Sequence, residues 1–180
     1  AYAFRLLNLA SASTVAAYDT PVSDTLAPGN QTRVYRFVAA AGDQVMFDRI
    51  ALTGDSPYWR LIDSTGYQVF GPEAFNDRAS TSLRLGGTYY LLVEGRVSRG
   101  SRPSYSFQLD FQTNVPVPAS TGTTITLGST VNGTLGAAGE TDDYVFQLGG
   151  PARVYFDSLV PNNNGAFRWS LVVPRGVEIS

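Results

Sequence analysis

Apolar residues recur at every second position in this chain, in short runs that end at Gly, Pro, Asn or Asp. Examples are Val34-Tyr35-Arg36-Phe37-Val38, Gln44-Val45-Met46-Phe47-Asp48-Arg49-Ile50, Ser82-Leu83-Arg84-Leu85, Thr88-Tyr89-Tyr90-Leu91-Leu92-Val93-Glu94 and Tyr105-Ser106-Phe107-Gln108-Leu109-Asp110-Phe111. Alternation sends successive side chains to opposite faces of a strand, and the aromatic and β-branched content suits a half-buried sheet. No eleven-residue window carries a helical apolar stripe behind a cap, so almost no helix is expected. Regularly spaced short strands with turn residues between them predict an all-β, antiparallel sandwich or barrel.

The residue types that are absent close most chemistry. The chain holds no His and no Cys, and all 13 basic residues are Arg against 15 acidic ones, a formal charge of −2. It therefore has no Ser-His-Asp or Cys-His nucleophile, no His/Cys zinc site, no disulfide and no Schiff-base or phosphate-loop lysine. What remains is carboxylate chemistry, for which Glu73 and Glu94 are examples, and oxygen-ligand sites for calcium. The near-neutral balance gives no field for nucleic acid or anionic membranes. No run reaches the ~18 to 20 apolar residues of a membrane-spanning helix. The opening Ala1 to Asn8 alternates and lacks the basic head of a signal peptide, which suggests a processed or excised segment.

One module is used twice. Val22 to Phe37 aligns without a gap on Val131 to Phe146, an offset of 109, and Val45, Phe47 and Asp48 then meet Val154, Phe156 and Asp157. After one inserted residue Trp59, Leu61, Gly66 and Val69 meet Trp169, Leu171, Gly176 and Ile179 at an offset of 110. Tyr2-Ala3-Phe4-Arg5-Leu6 parallels Tyr105-Ser106-Phe107-Gln108-Leu109 at an offset of 103. The expected organisation is 1–10 as the closing strand of a preceding repeat, 11–113 as a complete repeat, 114–124 as a Pro-containing linker and 125–180 as the first half of a following repeat. Within 11–113, Phe37, Val45, Phe47, Trp59, Leu61, Leu83, Leu85, Leu91, Val93, Phe107 and Leu109 are the expected core.

The repeat resembles the bacterial pre-peptidase C-terminal (PPC) type of β-sandwich, found in tandem in very large secreted or cell-surface proteins. The resemblance lies in Thr25-Leu26-Ala27-Pro28-Gly29, Val34-Tyr35-Arg36-Phe37 with Ala41-Gly42, Trp59-Arg60-Leu61-Ile62-Asp63 with Gly66, Gly86-Gly87-Thr88-Tyr89-Tyr90-Leu91-Leu92-Val93-Glu94-Gly95 and Tyr105-Ser106-Phe107. It implies tandem antiparallel jelly-roll-like β-sandwich repeats and an extracellular or cell-surface accessory, spacer or adhesive role without catalysis. That family often carries an acidic residue shortly before its Tyr-x-Phe. The second copy has Asp142 and Asp143 there, whereas the first has Arg33 and Val34.

Candidate site residues each carry two readings. Trp59 and Trp169 are core anchors or sugar-stacking platforms. Tyr89 and Tyr90 are adjacent on a strand, so one points inward and the other is a ligand contact or a cross-strand partner. Asp48 and Asp157 offer oxygen ligands to calcium or accept hydrogen bonds at a strand end, and their surroundings match no graded calcium loop. Arg96, Arg99 and Arg102 crowd one loop, where they contact an acidic polysaccharide or form a solvated hairpin tip. No cofactor is expected.

The expected function is a non-catalytic structural or adhesive module of a long extracellular protein. A carbohydrate-binding accessory module is the alternative, and an enzyme is not expected. Expected partners are neighbouring repeats of the same polypeptide, through head-to-tail or lateral association, and a polysaccharide.

Overall fold

The alternating runs condense into a rolled sandwich in the computed structural model, which describes residues 3–98, 100–150, 152–160, 167–174 and 176–179. The chain divides into two units, Ala1–Val117 and Pro118–Ser180.

The first unit holds nine strands: β1 Ser13–Val15, β2 Val22–Thr25, β3 Thr32–Ala39, β4 Asp43–Thr53, β5 Tyr58–Ile62, β6 Gln68–Ala74, β7 Arg78–Leu83, β8 Gly87–Glu94 and β9 Ser104–Asn114. Its only described helix is the single turn α1, Leu9–Ala12, capped by the Asn8 side chain. Strand β2 pairs with β9, β3 with β8, β4 with β7 and β5 with β6, all antiparallel, which is the ladder of one long folded hairpin. The hairpin is rolled so that β9 also pairs with β4 and β8 with β5. Two sheets result, β2-β9-β4-β7 and β1-β3-β8-β5-β6. This is the jelly-roll order, in which the last strand of the module lies between the first and third strands of the hairpin.

The expectation of wholly antiparallel pairing needs one correction, because β1 runs parallel to β3, with Ser13 opposite Val34 and Val15 opposite Arg36. The chain leaves β1, crosses to the other sheet as β2 and returns as β3 in the original direction, as a parallel pair requires. In that position β1 covers a ladder edge that β3 would otherwise present.

Inward positions of both sheets meet in an aromatic core. Phe37 packs on Phe47 at 6.4 Å between ring centroids, Phe47 on Trp59 at 6.1 Å, Trp59 on Phe75 at 4.6 Å and Phe75 on Tyr105 at 5.4 Å. Most are edge-on or tilted, the arrangement that ring quadrupoles favour. Every residue of the expected core is buried except Leu85, and Leu26, Tyr35, Phe70, Phe75, Tyr89 and Tyr105 join it. Leu85 is only partly buried because β7 stops at Leu83 and the chain turns there. The Leu85 carbonyl instead accepts the Tyr89 hydroxyl at 2.8 Å.

Burial of polar groups is matched by partners. Asp43, 5% exposed, accepts from Tyr18 Oη, Ala40 N and Asn114 Nδ2 at 3.1, 2.9 and 2.7 Å. Asp63 shapes the β5–β6 turn by accepting from Thr65 N, Thr65 Oγ1 and Tyr67 N. Such saturation is what allows carboxylates into a sandwich interior.

The N-terminal segment does not form the strand its pattern suggests. Residues 3–8 pair with no described strand, and Phe4 and Leu6 are 80% and 91% exposed. Its apolar face has no complementary sheet within the first unit, whose β9 position is already filled.

The second unit holds a parallel pair, β10 Thr123–Thr124 with β11 Tyr144–Val145, and a hairpin, β12 Leu171–Val173 with β13 Gly176–Ile179. No described residue of this unit is buried, and its described segment 152–160 forms no strand.

This contrast yields a prediction for the two tryptophans. Trp59 is fully buried, so Trp59→Ala should cost about 3–5 kcal/mol in urea unfolding of the first unit. Trp169, 49% exposed, should cost about 0.5 kcal/mol or less on the same substitution. Equal costs would show that the core has been misplaced.

Candidate functional site

The outward face of the β1-β3-β8-β5-β6 sheet gathers the polar and aromatic residues that alternate with the core. The register sets Arg36, Tyr90 and Ile62 in one row, Val34, Leu92 and Arg60 in the next, and Thr32, Glu94 and Tyr58 in the third. Arg60 and Glu94 lie in adjacent rows on neighbouring strands and form a two-point ion pair, Nε to Oε1 and Nη2 to Oε2, each at 3.1 Å. The fork geometry of guanidinium on carboxylate fixes both side chains. Beside them the Arg96 guanidinium lies 3.8 Å from the centroid of the Tyr58 ring, a cation–π contact.

Backbone packing brings Arg96 there. A Cβ on Gly95 would stand 1.9 Å from the Gly29 carbonyl oxygen, and one on Gly29 would stand 1.7 Å from that of Ser101. Only glycine permits three chain segments to approach so closely, and they lock the loop after β8 against the loop before β3.

The sequence candidates are divided by this geometry. Tyr89, 1% exposed, points inward and stacks on Phe37 at 5.6 Å, so it is a core residue and not a ligand contact. Tyr90 is the outward member of the pair. Arg96 joins the same face through Tyr58, Arg102 is exposed, and Arg99 lies outside the described residues. Trp59 is in the core, which withdraws the first unit's tryptophan from any sugar platform. Sequence reasoning missed Tyr58. Its outward parity next to Trp59 was the available signal, but the arrival of Arg96 depends on the Gly29–Gly95 approach. Glu73 is held by Arg78 Nη1 at 2.9 Å to both carboxylate oxygens, so Glu73 and Glu94 are each closed in an ion pair.

Asp48 lies on the outward face of the other sheet, opposite Gln108 of β9. Partial burial raises its pKa, and the negative charges of Asp77 and Asp110 and a hydrogen bond with Asp77 act in the same direction. Asp55, weighed with it as a calcium ligand, instead accepts from Ser101 Oγ at 2.7 Å. Asp157 is exposed in the second unit, and the Asn162-Asn163-Asn164 run considered with it lies outside the described residues. Among the described residues no group of three or more acidic side chains is arranged to hold a metal ion.

At one end of the core, the Tyr35 and Tyr105 hydroxyls meet at 2.7 Å, Tyr35 donates to Asp24 at 3.1 Å, and Arg33 pairs with Asp24 at 3.1 Å. Burial raises the pKa of both tyrosines, and for Tyr35 the neighbouring Tyr105 and Asp24 raise it further. They are structural hydrogen-bonding groups, protonated throughout the physiological range.

No family model matches this sequence, and no curated protein matches it. Among solved structures the chain has a distant likeness to the PliG periplasmic inhibitor of g-type lysozyme from Aeromonas hydrophila. The identity is 17% and the TM-score 0.42, over 55% of this chain and 96% of that one. The PliG of Salmonella Typhimurium gives 16% and 0.36, over 54% and 97%.

The environment of Asp48 makes a prediction. A carboxyl whose pKa is raised by folding holds its proton more tightly folded than unfolded, so its contribution is favourable at low pH and is lost as pH rises through the folded pKa. Asp48→Asn should therefore raise the unfolding free energy at pH 7 and lose that advantage near pH 3. A difference that stays constant with pH in chemical denaturation would contradict the assignment.

Proposed function

We propose that the jelly-roll sandwich is a non-catalytic module, used at least twice in this polypeptide, of a secreted or cell-surface protein in which it serves as a structural or adhesive repeat. The observation that carries this reading is a shared set of contacts at the sequence offset of the two copies. Thr14 pairs in parallel with Tyr35 in the first unit, and Thr123 with Tyr144 in the second, both residues displaced by 109. Ala16 N donates to Arg36 O at 2.8 Å, and Ile125 N to Val145 O at 2.9 Å. The Phe47–Trp59 ring contact at 6.1 Å has its counterpart in Phe156–Trp169 at 4.6 Å. Unrelated segments would have no reason to reproduce a parallel edge pair, which is uncommon in an otherwise antiparallel fold.

The order of motifs that resembles the PPC sandwiches supports the same reading, as does the absence of His, Cys and Lys from the sequence. The aromatic core of the first unit is filled, and among the described residues no deep polar cleft offers chemistry a place. The carbohydrate-binding alternative loses Trp59 and Tyr89 to the core, and the Tyr58 ring is overlaid by Arg96.

The test is the size and location of the native polypeptide. An antibody raised against the sandwich should detect a chain many times larger than 180 residues in the surface or secreted fraction. A mature intracellular chain of this length would overturn the proposal.

A further inference from the structure

The open core seam of the second unit and the unpaired N-terminal segment fit one another. In the sandwich, β9 is held between β2 and β4: Phe107 faces Val22, Gln108 faces Asp48 and Leu109 faces Phe47. The second unit contains the equivalents of those acceptor residues, Val131, Asp157 and Phe156, and all three are exposed. No strand lies between them among the described residues. The equivalent of β9 occurs once more in the chain, as Tyr2-Ala3-Phe4-Arg5-Leu6, and there Phe4 and Leu6 are solvated.

We propose that this N-terminal segment of one copy adds as a strand to the second unit of another copy, in the position that β9 takes in the sandwich. The inference rests on the module reading above. Transferring the β9 register places Phe4 against Val131, Leu6 against Phe156 and Arg5 against Asp157. The last pair is the informative one. Where the sandwich sets Gln108 opposite Asp48, the transferred ladder sets a cation opposite an anion, and opposite charges directly across an antiparallel pair are stabilising. Arg5 is also available. It is exposed, and its only described hydrogen bond is from Nη2 to the Thr32 carbonyl at 3.1 Å. The acceptor is partly organised beforehand, because Phe156 and Trp169 already touch as Phe47 and Trp59 do.

Strand addition to an open edge draws affinity from main-chain hydrogen bonds and selectivity from alternate side chains. The donated segment supplies one of the three strands that cover the first copy's faces. It also buries far less than the ~1,200 Å² of a standard stable interface, so association is weak and concentration-dependent.

The test uses the whole 180-residue chain in sedimentation equilibrium over a wide concentration range, with charge reversals at the two facing positions. The parent chain should associate, and Arg5→Glu or Asp157→Arg should each weaken association about five- to tenfold. Mixing the two variants should restore it, since the two reversed charges then face one another across the copies with opposite sign. A parent chain that is monomeric at every concentration, or variants whose mixture associates no better than each alone, would overturn the proposal. Hydrogen exchange on the same samples separates this from the module reading. Protected Thr123 and Ile125 amides in a monomer leave the module standing without strand donation, whereas their loss of protection removes the module reading as well.

Discussion

Everything in the first unit waits on β9. It is the last strand of the sandwich to be made, yet it lies between β2 and β4 and completes one of the two sheets. Until it arrives, β2 has no ladder partner and the inward faces of β4 and β3 lack Phe107 and Leu109. Because its contacts are with strands far back in the chain, loop-closure entropy is lost before contact energy is gained. A sandwich built this way is either complete or open. On the module reading, that is why the first unit has a dry aromatic core while the second exposes the same residue types.

The core itself is held by shape more than by polar pairing. Rings from both sheets interlock from Phe37 to Tyr105, and the Trp59 indole N–H finds no acceptor within that apolar mass. Buried Trp normally satisfies that donor, so the ring is retained there for its volume against Phe47, Phe70 and Phe75. Polar groups that do enter the interior sit near its ends, as Asp43, Asp63 and the Tyr35–Tyr105 pair do, each with its partners supplied by a turn or a neighbouring strand. The arrangement keeps desolvation costs at the periphery.

The outward faces show how an all-arginine complement is used. Arg60, Arg78 and Arg33 are each taken up by a carboxylate, while Arg96 is placed on an aromatic ring. Guanidinium suits both roles because it is planar and weakly hydrated, which ammonium is not. These contacts order the surface of the β1-β3-β8-β5-β6 sheet without assembling a proton-transfer pair.

Strand identity was legible in the sequence because a period of two is a property of neighbouring residues. The alternation around Phe37, Phe47, Leu91 and Phe107 marks both the strands and their inward side, and the recurrence of Trp59 as Trp169 is the sequence signal behind the module reading. The limits of that legibility are equally specific. Local pattern could not say which of Tyr89 and Tyr90 faces inward, since parity is relative until a sheet is paired. It placed Leu85 inside because the run reads as continuous, whereas the turn after Leu83 breaks the parity. It gave Phe4 and Leu6 the character of a strand but no partner, and strands exist only in pairs. Tertiary structure alone decided that β1 runs parallel to β3, that Arg96 lies over Tyr58 and that Asp48 stands near Asp77 and Asp110. Each of these depends on where distant segments meet after the hairpin has rolled, and the separation between them carries no periodic signal.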